Sequence, residues 1–228
     1  MRLVVAQTPH LAATLAARFI ARRLRRALAA REQATLALSG GTTGVALFAE
    51  LARLPLDWNR LQVFQVDERV APDGSPARNL TAIAGALVGP GRLAAARLQA
   101  MPVEAPDGTA AALQYATTLA RHAGTPPVID VVHLGLGADG HTASLFPGDP
   151  ALDASEASVV AVGTHAGFAR ITLTLPVINA ARSIVWLVTG AGKADVLARL
   201  MQRGWPAPAG RVARREAVVY ADRSAHGA

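Results

Sequence analysis

The chain has 228 residues, of which 23 are basic and 16 acidic, and its formal net charge is +7. This length suits one large domain that can bury a core without disulfide bonds. Cysteine is absent, which excludes a disulfide scaffold, a thiol nucleophile and a cysteine-ligated metal site. The basic residues are scattered arginines apart from Lys193, no nucleic-acid motif accompanies them, and no apolar run is long enough to cross a membrane. We therefore expect no nucleic-acid partner and no membrane partner.

The N-terminal segment supports two interpretations. It has no acidic residue before Glu32 and several arginines, a composition typical of a mitochondrial transit peptide. It also predicts a strand over 2–6 and then a helix that Thr8 caps and Pro9 begins, with apolar residues at helical spacing. The second interpretation explains more of the residues. We therefore expect this segment to belong to the folded domain of a cytoplasmic protein.

Apolar strands alternate with amphipathic helices along the rest of the chain. Further strands are predicted at 34–38, 61–66, 97–101, 128–134, 169–174, 183–189 and 218–219. Further helices are predicted at 43–53, 77–87, 110–122 and 193–202. This alternation is typical of an α/β fold in which helices cover both faces of a mostly parallel sheet. Because no segment resembles a linker, a single domain is predicted over 1–228.

The segment Ser39-Gly40-Gly41-Thr42-Thr43 joins a predicted strand to a predicted helix. Ligands of such sheets bind beyond the carboxyl ends of the strands, where this segment lies. Its glycines let an anion approach the backbone, the start of the helix presents free N–H groups, and the hydroxyls add donors. These features indicate a phosphate site. The alternative is an ordinary tight turn with a threonine cap.

The segment Asp67-Glu68-Arg69 follows the predicted strand 61–66. Two acids and an arginine at a strand end could orient a ligand that carries several hydroxyl groups. Taken alone, however, such a triplet more often forms a surface salt bridge or caps a helix, because short motifs have many chance matches.

The segment GLGADGHTASLFPG, residues 135–148, follows the most apolar strand. Glycines around an acid and a histidine suit an active-site loop better than a core. His141 is the best candidate for a general base, since a neutral imidazole accepts a proton near neutral pH. Asp139 would orient its ring or bind a sugar hydroxyl. The alternative is that His141 only caps a helix.

The other histidines receive no catalytic assignment. His133 lies inside an apolar strand and is interpreted as a core histidine with satisfied hydrogen bonds. The remaining ones are predicted to be peripheral: His10, His122, His165 and His226. Neither His-x-His nor His-Glu-x-x-His occurs, so no metal site is predicted.

The motifs SGGTT, DERVAP and GLGADGHTASLFPG occur in this order and are followed by RITLTLPVINAA and VTGAGKA. Together they resemble the 6-phosphogluconolactonase family, which belongs with the glucosamine-6-phosphate isomerase/deaminase superfamily. The resemblance covers residues 34–212 and is most specific in GLGADGHTASLFPG. It implies a modified Rossmann-like domain that hydrolyses 6-phospho-D-glucono-1,5-lactone to 6-phospho-D-gluconate, the second step of the oxidative pentose phosphate pathway. It also implies that no metal or organic cofactor takes part.

The resemblance implies roles for individual residues. His141 matches the histidine that activates water, and Asp67 matches the acid of the same pocket. Arg170 and Lys193 match basic positions that bind phosphate. For the oxyanion that forms on the lactone carbonyl, Arg69 and loop N–H groups are the candidate donors.

The loop after Asp67-Glu68-Arg69 departs from the family pattern. Of the residues common there, only Asn79 is kept, as a substrate-binding candidate. Arg78 is expected to add a cation near the pocket. These substitutions alter the substrate contacts of the loop but remove no proposed catalytic group.

Two alternative functions stay open. A glucosamine-6-phosphate isomerase/deaminase shares the scaffold, but its family carries an additional acid in the segment where this chain has TASLFPG. A non-catalytic phosphosugar sensor is the other alternative, although no helix-turn-helix segment accompanies the motifs. The expected partner is a small phosphorylated sugar lactone, and the chain is expected to be a monomer or a weak homo-oligomer.

Overall fold

A computed structural model describes residues 1–227 of the chain. The strands, numbered in chain order, are β1 Arg2–Ala6, β2 Ala34–Leu38, β3 Leu61–Gln65, β4 Asp67–Arg69, β5 Leu98–Gln99, β6 Val131–Leu134, β7 Val159–His165, β8 Phe168–Leu173, β9 Ile184–Val188 and β10 Ala217–Asp222. The α-helices are α1 Pro9–Ala30, α2 Thr42–Ala52, α3 Asn79–Leu87, α4 Gly108–Ala123, α5 Leu175–Ala180, α6 Ala194–Met201 and α7 Arg223–His226. The predicted alternation of strands and helices is confirmed.

The main sheet is parallel and has seven strands in the order β1-β10-β9-β6-β2-β3-β5. Successive residues of a strand point to opposite faces, so each central strand contributes to two hydrophobic clusters. Val131 and Val185 pack with α1, α2 and α3, whereas Val132 and Trp186 pack with α4, α5 and α6. Helices therefore cover both faces, which confirms the predicted single-domain α/β fold.

A second sheet was not predicted. It is antiparallel, with three strands in the order β4-β8-β7. The three charged residues of β4 are strand-like because they pair with β8, where Asp67 lies opposite Thr172 and Arg69 opposite Arg170. Strand β7 contains Gly163, and its buried and exposed residues do not alternate regularly, so the sequence lacks the two-residue periodicity that predicts a strand. Helix α5 was also missed. The pairing matters for function because it brings two segments that lie far apart in the chain to one edge of the main sheet.

The N-terminal segment is part of the fold. Strand β1 pairs along its whole length with β10, and α1 packs its apolar face against the sheet. As predicted, Thr8 caps α1, since its Oγ1 accepts a hydrogen bond from the Leu11 N–H at 3.2 Å. The transit-peptide interpretation does not account for these contacts. Within residues 1–227, no helix combines the length and the apolar character that a membrane span requires.

Candidate active site

A cleft of about 520 Å³ opens at the carboxyl ends of β2, β3, β6 and β9. Ten of the eleven predicted site residues line it: Ser39, Gly40, Gly41, Thr42, Asp67, Arg69, Asn79, His141, Arg170 and Lys193. The glycine turn and the candidate base therefore face the same cavity, as the sequence interpretation requires. The eleventh, Asp139, lies behind His141 and does not line the cleft.

The glycine turn leaves the start of α2 open toward the cleft. Gly41 is the N-cap residue with a φ of 90°, and no side chain accepts a hydrogen bond from the first turn. A Cβ on Gly40 would lie 1.9 Å from Oδ1 of Asn79, so only glycine fits there. The uncapped N–H groups and the positive end of the helix dipole suit an anion. The alternative of a turn with a threonine cap is wrong.

Asn79 packs against the glycine turn. Its side chain is buried against Gly40, and its Nδ2 donates to the Asp67 carbonyl oxygen at 2.8 Å. Asn79 also lines the cleft, but its amide nitrogen is already engaged in the protein. A direct contact with substrate stays a prediction.

Two serines hold the carboxylate of Asp67. Ser39 Oγ donates to its Oδ1 at 3.2 Å, and Ser144 Oγ donates to its Oδ2 at 2.8 Å. Ser144 is completely buried, and its N–H contacts Thr172 Oγ1 on β8. Sequence reasoning did not single out Ser144, although it lies inside the motif that includes His141. The only feature of the sequence that could have indicated a role for Ser144 is its hydroxyl group in a glycine-rich loop.

Glu68 has a structural role. Its carboxylate is fully buried and accepts from the backbone N–H groups of Asn79 at 2.7 Å and Leu80 at 2.8 Å, at the start of α3. For this residue the helix-cap alternative is confirmed. Arg78 is buried beside Glu68, pairs with Glu104 and does not line the cleft. The expectation that Arg78 adds a cation to the pocket is therefore wrong.

His141 is oriented by Asp139. The two side chains meet at 2.5 Å between Nδ1 and Oδ1, and the same Oδ1 accepts from the His141 backbone N–H at 3.1 Å. Burial alone would raise the pKa of the Asp139 carboxyl, but these hydrogen bonds and the charge of His141 outweigh it and hold the pKa below its usual value. Because a carboxylate can only accept, Nδ1 of the neutral ring carries the hydrogen and Nε2 the lone pair. No helix begins at His141, so the helix-cap alternative is wrong.

Two arginines lie side by side at the edge of the second sheet. Arg69 Nη1 donates to the Ala77 carbonyl at 2.6 Å, and Arg170 Nη2 donates to the His165 carbonyl at 3.0 Å. Burial, and then the charge of Arg69, lower the pKa of the Arg170 guanidinium, while Asp67 and a neighbouring carboxylate oppose the shift. The paired guanidinium groups make this wall of the cleft positive.

Lys193 adds a third cation to the lining of the cleft. It ends a short 3-10 turn that leads into α6, as predicted for a residue at a helix start. Its Nζ donates to the Leu136 carbonyl at 2.7 Å and lines the cleft. An ammonium group has three donors, so this contact leaves capacity for a ligand.

Three histidines differ from the expectations. His10, predicted to be peripheral, lines the cleft from the first turn of α1. His165, also predicted to be peripheral, stacks on Phe146 beside the cleft. His133 is a core residue as predicted, but neither ring nitrogen has a hydrogen bond of normal geometry, even with the Ser39 backbone close by. Burial lowers the pKa of His133 to about 4, so its ring is neutral.

Comparison with known proteins identifies the family. Residues 7–220 match the model described as glucosamine-6-phosphate isomerases/6-phosphogluconolactonase. The chain belongs to this family. It is 41% identical over 182 residues to a 6-phosphogluconolactonase of Synechocystis sp., covering 78% of this chain and 75% of that protein.

Solved structures share the fold of this family member. The 6-phosphogluconolactonase of Trypanosoma brucei superposes with a TM-score of 0.85 and 26% identity, covering 98% of this chain and 96% of that one. A monomeric glucosamine-6-phosphate deaminase superposes with a TM-score of 0.82 but is only 19% identical, covering 100% of this chain and 99% of that one, so that likeness concerns the fold alone. Because its curated relatives are 6-phosphogluconolactonases, the chain is an enzyme of this family that hydrolyses a lactone.

Proposed function

We propose that the chain hydrolyses 6-phospho-D-glucono-1,5-lactone to 6-phospho-D-gluconate and that His141 activates the attacking water. One observation carries this proposal. An imidazole oriented by a carboxylate shares a single cleft with the uncapped start of α2 and with three cationic side chains. The imidazole suits proton transfer, whereas the start of α2 and the cationic side chains suit a phosphate. The proposed substrate carries a hydrolysable ester and a phosphate in one molecule.

The proposed chemical step uses the free nitrogen of His141. As the water oxygen bonds to the lactone carbonyl carbon, Nε2 takes a proton from it, and the carbonyl electrons move onto oxygen. When this oxyanion re-forms the carbonyl, the ring C–O bond breaks and the imidazolium returns the proton to the departing ring oxygen. Base catalysis of this kind contributes about 10²–10⁴-fold. Arg69 and loop N–H groups are the proposed donors to the oxyanion, and the Asp67 carboxylate is the acidic side chain of the same pocket.

Phosphate binding is assigned to the start of α2 and to two of the cations that line the same cleft. The backbone N–H groups after Gly41 and the hydroxyl of Thr42 would donate to the phosphate, and Arg170 and Lys193 would neutralise its charge. The hydroxyl of Ser39 already donates its hydrogen to Asp67, so Ser39 would contribute only through its backbone. Each charge-assisted hydrogen bond contributes about 1.5–3 kcal/mol. Because the phosphate is distant from the reacting carbon, this binding energy would hold the ring in place for attack.

The deaminase alternative is less well supported. Moving a proton between carbons of an amino sugar needs additional acid–base groups, and the chain has no acidic residue between His141 and Pro147. Three curated relatives that match at 39–41% identity are 6-phosphogluconolactonases. Ammonia release from glucosamine 6-phosphate would favour the deaminase.

The second alternative is a non-catalytic phosphosugar sensor. Tight binding of 6-phosphogluconate without lactone turnover would favour the sensor.

The deciding experiment measures proton release from freshly prepared 6-phosphogluconolactone, with the spontaneous rate subtracted. His141→Ala is expected to lower kcat by about 10²–10⁴-fold, the contribution of a lost base, and to leave 6-phosphogluconate binding nearly unchanged. Lys193→Ala is expected to raise KM about tenfold, the equivalent of about 1.4 kcal/mol, and to keep kcat. His122→Ala, which alters a histidine on α4 away from the cleft, is the control. An unchanged kcat in His141→Ala would rule out the proposed base.

A further inference from the structure

A stack of aromatic side chains lies directly behind the cleft. The rings of Phe146 and His165 are nearly parallel, with an angle of 11° and 3.8 Å between their centroids. On the same ring, Phe146 also meets His141, at 4.6 Å between centroids, and the guanidinium carbon of Arg170, at 5.3 Å from its centroid. One buried ring therefore contacts both the proposed base and a proposed phosphate ligand.

His165 is held firmly in this stack. Its Nε2 lies 3.0 Å from Oδ2 of Asp149, and the other oxygen of Asp149 accepts from the Ala151 N–H at 2.8 Å. The carbonyl oxygen of His165 accepts the hydrogen bond from Arg170. His165 thus links a fixed turn to Arg170 through its backbone and to Phe146 through its ring.

We propose that His165 is a positioning residue for the reaction, which holds Phe146 in the orientation that places His141 and Arg170. This inference rests on the proposed function. Neither His165 nor Phe146 lines the cleft, so they act through the two residues that do. The rotamer of a phenylalanine is fixed by what packs against its faces. Without His165, one face of Phe146 would be open to solvent, and His141 and Arg170 would both lose a fixed neighbour.

The effect on the kinetics follows from the two contacts. Loosening His141 slows proton transfer and lowers kcat, and loosening Arg170 weakens phosphate binding and raises KM. Small displacements of catalytic groups have large effects on rate, so we expect His165→Ala to lower kcat/KM about tenfold, with changes in both constants. A residue that only stabilised the fold would lower the melting temperature and leave both constants unchanged.

The conservative variant His165→Phe tests the stack itself. It keeps an aromatic face toward Phe146 and loses the hydrogen bond to Asp149. The His165 side chain is 33% exposed, so the larger ring can be accommodated. We expect His165→Phe to recover most of the kcat/KM that His165→Ala loses.

His122→Ala is the matched control. The His122 ring packs edge-on against Phe64, with 6.2 Å between centroids, and neither residue lines the cleft. The experiment determines kcat, KM and the melting temperature of all three variants and the unmodified enzyme with fresh lactone.

Each outcome bears on the inference. Equal kcat and KM in His165→Ala, His122→Ala and the active unmodified enzyme would overturn the positioning role and leave the proposed function intact. A His165→Phe variant as impaired as His165→Ala would overturn the role of the stack. An unmodified enzyme that does not open the lactone would overturn both the proposed function and this inference.

Discussion

Asp67 depends on hydrogen bonds from two separate segments. Ser39 belongs to the glycine turn after β2 and Ser144 to the loop after β6, and each donates to a different oxygen of the carboxylate. The carboxylate cannot rotate without breaking at least one of these bonds. Its orientation in the cleft is therefore set by its neighbours and not by its own side-chain preferences.

At the scale of single residues, we predict that Ser144→Ala impairs the reaction. The substitution leaves one carboxylate oxygen of Asp67 buried without its donor, which costs about 1–3 kcal/mol and lets the group move. We expect kcat to fall about tenfold, since about 1.4 kcal/mol corresponds to a factor of ten. The measurement is steady-state kinetics with urea unfolding of the same samples.

Ser155→Ala, at an exposed position, is the control for Ser144→Ala. A loss of stability with an unchanged kcat would show that Ser144 serves folding and not the orientation of Asp67.

At the scale of elements, α3 shows how a buried charge sets the start of a helix. The sequence predicted a helix from residue 77, but the helix begins at Asn79, where the Glu68 carboxylate accepts the first N–H groups. A negative charge at this end also complements the helix dipole. Because Glu68 lies on β4, the cap ties α3 to the second sheet and places Asn79 beneath the glycine turn.

Glu68→Gln is predicted to destabilise the protein. An amide presents only one acceptor oxygen and turns its NH₂ toward other donors, so hydrogen bonds to a charged group are lost, at about 1.5–3 kcal/mol each. We expect the free energy of unfolding to fall by about 1.5–3 kcal/mol, the equivalent of one such bond. Urea unfolding measures it. Glu156→Gln makes the same chemical change at an exposed position and should have little effect; equal effects in both variants would contradict the capping role.

At the scale of the whole molecule, His133 makes stability depend on pH. It lies on β6, the central strand of the main sheet, and its ring is completely buried with an edge toward Phe48. Burial lowers its pKa from 6.5 to about 4. The unfolded chain can therefore bind a proton in a pH range where the folded protein does not.

The direction of the pH effect follows from this difference. Below pH 6.5 the unfolded state takes up a proton at His133, which favours unfolding, so stability is greatest above 6.5 and falls as the pH is lowered toward 4. The slope approaches about 1.4 kcal/mol per pH unit. We expect urea unfolding of His133→Leu to show a weaker dependence than the unmodified protein between about pH 5 and 7. Parallel stability curves for the two proteins would contradict this prediction.

Local sequence patterns were sufficient for much of this molecule. The apolar strands and amphipathic helices alternate visibly, and a parallel α/β sheet places the segments after its strands at one edge. The sequence therefore assigns SGGTT and the loop with His141 to one site, and both line the cleft. Such assignments succeed because the type of each secondary-structure element is encoded in periodicities within about 5–20 residues.

The tertiary structure alone decided which groups meet. Ser144, one of the two donors to Asp67, lies 77 residues away from it in the chain, and β4 becomes a strand by pairing with β8. The Arg78 side chain contacts acidic residues instead of the cleft, and His165 contacts Phe146 from the end of β7. Nothing in the local sequence around these residues distinguishes them from surface or loop positions. Their partners are chosen by packing and by the need to satisfy buried polar groups, and both conditions arise only when distant segments come together.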